Sequence, residues 1–156
     1  MSEPLRLIAL DEEDLAVISA HLQDAVIKIR DMAFLPQTKR FALLAARFDW
    51  AGIEKGKMQR CYTGLHFEAV QKAALTGFEQ SAGETCLNLL SIHFTAHDAP
   101  AGDVILTFSG GAAVKLSVEC LEAQMRDMCT PWPAKAQPGH AIDESPGENA
   151  KTEELK

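Results

Sequence analysis

The hydrophobic and polar positions change period twice along the chain. Leu10-Asp11-Glu12-Glu13-Asp14-Leu15 reads as a helix start: Asp11 is placed to cap, Asp14 takes the third helical position, and Leu10 can staple onto Leu15. The three acids after Asp11 suit the positive end of the helix dipole. Leu15, Ile18 and Leu22 then make one apolar stripe, which predicts a helix lying on a larger body. After Gln23 the helical period gives way to alternation. Val26 to Leu35 sets Lys28 and Arg30 on one face and Ile27 and Ile29 on the other, and Pro36-Gln37-Thr38-Lys39 turns the chain into a second strand, Arg40 to Asp49. A glycine-containing loop, 51–57, leads to strands at Arg60 to Phe67 and Val70 to Leu75. Cys86 to Ala96 and Asp103 to Phe108 are strands joined by a turn over 98–102, and Ser109-Gly110-Gly111 is a tight hairpin into Ala112 to Leu116. A helical period then returns. Ser117 is a suitable N-cap, Leu116 can staple onto Leu121, Val118, Leu121, Met125 and Met128 form a stripe, and Pro131 is a stop.

Seven strands in consecutive hairpins followed by one amphipathic helix predict an α+β, mainly β protein. The expected form is a seven-stranded antiparallel, partly open barrel, plugged at one end by the C-terminal helix and preceded by an extra N-terminal helix. That order of elements resembles the pleckstrin-homology-like superfold.

Composition narrows the setting. The chain has 156 residues, 47% of them hydrophobic and 24% charged, which fits a globular protein and excludes a disordered or collagen-like one. The longest unbroken apolar run is Phe41 to Ala46, where a membrane helix needs ~20 residues, so no membrane span is expected. Nothing at the N-terminus reads as an export signal. Cys61, Cys86, Cys120 and Cys129 form no CxxC pair and are expected to be reduced, mostly buried thiols in a cytoplasm. The composition shifts near Pro131. Residues 1–133 are read as one globular domain. Residues 134–156, whose only large apolar side chains are Ile142 and Leu155, are read as an extended or disordered acidic tail.

Several stretches resemble a family of small alphaproteobacterial proteins known only as a domain of unknown function. They are Asp31-Met32-Ala33-Phe34-Leu35-Pro36, Arg40-Phe41-Ala42-Leu43, Arg47-Phe48-Asp49-Trp50, Leu65-His66-Phe67 and the segment from Asp127 to Pro133. The resemblance implies a cytoplasmic protein and supplies no activity.

The common catalytic signatures are missing: there is no GxSxG, GxxxxGK, GxGxxG or HExxH. His93 and His97 would share a helix face, but their segment alternates, and in a strand they stand ~13 Å apart, too far to share a metal. Ser91, His93 and Thr95 are expected to form a wet face opposite Leu90, Ile92 and Phe94. His66, near Glu68, could serve in acid–base chemistry, although no nucleophile accompanies it in sequence. His21 ends the first helix, where a positive charge suits the dipole. No metal or cofactor is expected.

Charge is the feature above background. The net charge is −7, yet residues 28–60 carry eight basic side chains (Lys28, Arg30, Lys39, Arg40, Arg47, Lys55, Lys57, Arg60) against three acids. In pleckstrin-homology-like barrels the first hairpin often receives anionic headgroups, and by that resemblance Lys28, Arg30, Lys39 and Arg40 are the candidate ligand-binding residues. The plainer alternative is a solvated strand face whose charges pair with nearby acids. Nucleic acid is not expected as a partner, because the overall charge repels phosphates. Three functional readings stand: a non-enzymatic protein-interaction module with a protein partner, a binder of a small anion at the basic hairpin, and an enzyme using His66 or His93. Trp50 and Trp132 are expected to be core anchors.

Overall fold

A computed structural model describes residues 4–49, 56, 59–79, 82–128 and 132–133. The tail over 134–156, the loop over 51–55, Trp50, Cys129 and His140 lie outside the described residues, as does the side chain of Trp132. The N-terminal helix is where its signals placed it. Helix α1 spans Glu12–His21, and Asp11 caps it by accepting from Asp14 N at 2.8 Å. Leu15, Ile18 and Leu22 are buried, while Leu10 is 63% exposed.

The seven alternating segments are strands, with one interruption. In chain order the strands are β1 (Arg6–Ala9), β2 (Val26–Lys28), β3 (Met32–Leu35), β4 (Arg40–Phe48), β5 (Gln59–Phe67), β6 (Val70–Thr76), β7 (Cys86–Ala96), β8 (Gly102–Phe108), β9 (Ala113–Val118), β10 (Ala123–Asp127) and β11 (Trp132–Pro133). A single 3₁₀ turn, Ile29–Asp31, divides the first predicted strand into β2 and β3. The Ser109-Gly110-Gly111 hairpin is present. Gly110 and Gly111 both have positive φ, and Phe108 N donates to Ala112 O across the turn.

Two expectations are corrected. The C-terminal capping helix does not exist: Val118 ends β9, and Ala123–Asp127 is strand β10. Ala123, Met125 and Asp127 are buried while Arg126 is exposed, a period of two that the helical stripe concealed. Ala, Gln, Met and Arg favour helix by only tenths of a kcal/mol each. Strand β10 instead pairs on both sides, with β1 and with β5, and that tertiary pairing overrides the local preference. Nor is there a barrel. The strands form one open antiparallel sheet ordered β1-β10-β5-β4-β2-β7-β8-β9-β6, with β3 beside β4 and β11 beside β5; its end strands, β1 and β6, do not pair with each other.

The sheet bends on itself where two neighbouring segments turn together. Between β5 and β6, Ala69 adopts a positive φ, and beside it the chain crosses from β9 to β10. Glu68 N donates to Glu122 O, and Glu119 N donates to Ala69 O, so the two corners hold each other. Both halves thereby face one core, which includes Phe41, Leu65, Phe67, Leu89, Leu106, Leu116 and Met125 together with the stripe of α1. The helix is fixed to β7 by polar contact as well. Ile92 N donates to Ser19 Oγ at 2.9 Å, just past an irregularity where the pairing of β7 with β8 skips Leu90. That bulge reverses the alternation: Leu90 is exposed rather than buried, while Ile92 stays in the core.

Candidate functional site

Polar chemistry collects in three places, none of them contiguous in sequence. The first is a buried ionic cluster at the end of the core beneath the last turn of α1. Arg47 on β4 donates from Nε to Asp127 Oδ1 at 2.9 Å and from Nη2 to Asp127 Oδ2 at 2.8 Å, and both side chains are 1% exposed. Thr63 Oγ1 donates to Oδ1 at 2.8 Å and Leu5 N to Oδ2 at 2.7 Å, so β4, β5, β10 and the residue that leads into β1 meet on one carboxylate. Burial alone would raise the Asp127 carboxyl, but the bonds from Arg47, Leu5 and Thr63 outweigh it and hold the group below its ordinary value. Burial pulls the Arg47 guanidinium down, and the bonded carboxylate more than reverses this. His21 feels the same cluster: burial first, then the nearby Arg47 charge, lower its pKa, which favours the neutral ring over the dipole-stabilised cation expected from sequence. With every Asp127 oxygen engaged, this cluster ties strands together.

The second place holds the sequence-predicted ligand residues, which the structure divides into two pairs. Lys28 and Arg30 share Glu84: Lys28 Nζ lies 3.5 Å from its Oε1, and Arg30 Nη1 bonds its Oε2. Lys28 is only 7% exposed, and its Nζ, with Arg30 Nε and Nη2, has no hydrogen-bond partner. Lys39 and Arg40 lie beyond the 3₁₀ turn and all of β3, roughly 19 Å of chain away. They bond Glu119 and Glu68, each at 2.8 Å. The Lys39 ammonium holds the Glu119 carboxyl below its usual value, aided by Gln71.

The third place went unnoticed in sequence. On the face of β4, β5, β10 and β1 turned away from the core, the register sets Arg6, Arg126, Gly64 and Leu44 in one row and Ile8, Gln124, His66 and Ala42 in the next. A hollow of about 520 Å³ lies over these rows, roofed in part by Met128. A Cβ on Gly64 would stand 3.1 Å from Met128 Sδ, so the absent side chain is what lets the methionine lie across β5. His66 borders the hollow with Nδ1 held 2.5 Å from Glu68 Oε2, the same oxygen that receives Arg40 Nε. Its register neighbours are Ala42 and Gln124, so no hydroxyl or thiol stands beside the ring in either adjoining strand. His93 is an exposed residue of β7 opposite Ile105, and His97 sits 2.9 Å from Asp103. No cluster of three His, Cys, Asp or Glu suited to a metal occurs among the described residues. Cys61 is buried and Cys120 half-buried, but Cys86 is exposed, against the expectation of mostly buried thiols.

The chain belongs to a family described as "Protein of unknown function (DUF2948)", whose pattern it matches over residues 5–140. No curated protein matches it. No solved structure does either. Two stretches that carried the sequence resemblance, the ones containing Arg47 and Asp127, are those joined by the buried ion pair. Among the described residues no helix is long and apolar enough to cross a membrane.

Proposed function

We propose that the protein is a non-enzymatic interaction module, working in the cytoplasm, which presents the outer face of β1, β10, β5 and β4 to a protein partner. The observation that carries the reading is the exposure, among the described residues, of the end of this face around Ile8 and Met128; at the other end Ala46, Phe48, Arg60 and Tyr62 are buried. Ile8 and Met128 are 56% and 60% exposed, Leu44 and Ala42 on β4 are half-buried, and among the described residues the one α-helix packs on the opposite, core side. Ile8 on one side and Leu44 and Ala42 on the other flank Arg126, Gln124 and His66, a mixture of apolar and polar groups of the kind that recognition surfaces carry. Among the described residues the register neighbours of His66 are Gln124 and Ala42, which favours binding over covalent turnover. An exposed thiol at Cys86 suits a reducing compartment. To test the reading, a photo-crosslinking residue is placed at Leu44 in the native cell. The expected result is one discrete adduct, abolished by Ile8→Glu with Met128→Glu and reproduced from purified components. Absence of an adduct at Leu44 when the same probe at Val17, on the helix surface, yields one would refute it.

A second reading, anion binding at the basic hairpin, is favoured for Lys28 and Arg30 alone by their buried, unbonded nitrogens. Lys39 and Arg40 are paired elsewhere, with Glu119 and Glu68. Protection of the Lys28 amine from acylation by added phosphate would support it, and unchanged labelling would oppose it.

A further inference from the structure

We infer that Arg6 and Arg126 form a two-pronged seat for a phosphate monoester, a step that rests on reading the outer face as a recognition surface. The two residues are register partners on β1 and β10. Asp127 N donates to Leu5 O while Leu5 N bonds the Asp127 carboxylate, so 5/127 takes the hydrogen-bonding position of the ladder. The adjacent 6/126 pair is therefore of the non-hydrogen-bonded type, with Cα atoms about 4.5 Å apart and side chains leaving the sheet together. Like charges directly opposite one another destabilise a sheet, and nearby acids ordinarily relieve them. Lys28, Arg30, Lys39, Arg40, Arg47 and Lys115 each have such a carboxylate. Among the described residues neither Arg6 nor Arg126 is joined to one. No acid among the described residues supplies that relief, and an anionic ligand would.

The charge and shape of that ligand follow from the site. Two guanidinium groups on exposed, directly opposed positions match a phosphate monoester, which carries about −1.5 to −2 near neutral pH and offers three acceptor oxygens to their forks. A monocarboxylate would neutralise only one of them. The next residue in the row is Gly64, then Leu44, with Met128 Sδ over the glycine. The space beside the guanidinium groups is thus floored by bare backbone and apolar atoms, which suits the organic part of the ester and disfavours a bare ion. The hollow of about 520 Å³ has the size of a small-ligand cleft.

The test titrates the full chain with phenyl phosphate while following the arginine Nε–H resonances and the Met128 methyl. The inference predicts saturable, concerted shifts of Arg6, Arg126 and Met128, weaker binding of inorganic phosphate at the same arginines, and weaker binding still of benzoate. Arg6→Gln and Arg126→Gln, checked for an unchanged backbone spectrum, each weaken phenyl phosphate by about tenfold or more; Lys72→Gln, on the far edge strand, leaves it unchanged. Binding undiminished in Arg126→Gln, or shifts spread equally over other surface cations, overturns the seat. Since no partner protein enters the titration, its failure leaves the docking reading standing, and loss of the crosslinked adduct leaves the seat standing.

Discussion

Removing the Asp127 carboxylate should be among the most damaging single changes outside the apolar core. Asp127→Ala leaves Arg47 buried at 1% exposure, with Asp49 Oδ1, 4.0 Å away, as its nearest remaining carboxylate oxygen. Stripping one partner from a buried pair costs about 3–5 kcal/mol. The Thr63 hydroxyl and Leu5 N–H lose their acceptor as well, at about 1 kcal/mol each. An inward shift of Asp49 recovers part of this, so the expected loss is about 4 kcal/mol. At about 3 °C per kcal/mol for a chain of this size, Tm falls by ~12 °C. Urea denaturation followed by circular dichroism should show the midpoint moving with little change in slope. The companion double variant Arg47→Met with Asp127→Leu replaces both charges by apolar groups. It should be less destabilised than the sum of its single variants by at least about 2 kcal/mol. A loss under about 1 kcal/mol for Asp127→Ala, or additivity in the cycle, refutes the argument that this carboxylate ties β4, β5 and β10 to the residue that leads into β1.

Further outcomes follow from the same geometry. His21 titrates below its ordinary value, so its contribution to stability is complete above about pH 6.5 and is lost as pH falls through the lower folded value. His21→Gln should flatten the change in urea midpoint between pH 7.5 and about 5, leaving the later loss that protonation of Asp127 brings at still lower pH. Gly102→Ala should cost about 2–3 kcal/mol, since its Cβ would lie 2.4 Å from Thr95 O and 2.7 Å from the Phe94 ring; a calorimetric Tm equal to wild type counts against that packing. Glu84→Gln removes the shared carboxylate of Lys28 and Arg30 and should destabilise by about 1–2 kcal/mol, with Lys28→Met restoring much of it in a chemical-denaturation cycle.

How far the sequence predicted this molecule depended on the range of the interactions involved. Asp11 caps α1 through a residue three positions away, and β8 and β9 alternate within their own length, so local patterns sufficed there. Strand β1 has only four residues, too few for periodicity to register. Strand β10 is made of helix formers, and only its place between β1 and β5 makes it a strand. The one local hint was Asp127 itself, an acid aligned with Ala123 and Met125 at a spacing of two. The basic excess over 28–60 was visible, but its counter-charges were not: Glu84, Glu119 and Asp127 arrive from 54 to 80 residues downstream. Arg6 and Arg126 are brought together by strand pairing alone, and neither stands in a motif.

The buried pair and the arginine row both require residues 123–127 to be a strand beside β1. Cross-strand nuclear Overhauser contacts in the labelled full chain test this directly. A non-hydrogen-bonded antiparallel pair brings the Hα of Arg6 against the Hα of Arg126, and a strong contact between those two protons is the predicted result. Sequential amide–amide contacts running from residue 118 to 128, with no contact to Arg6, would mean a helix there and would contradict both.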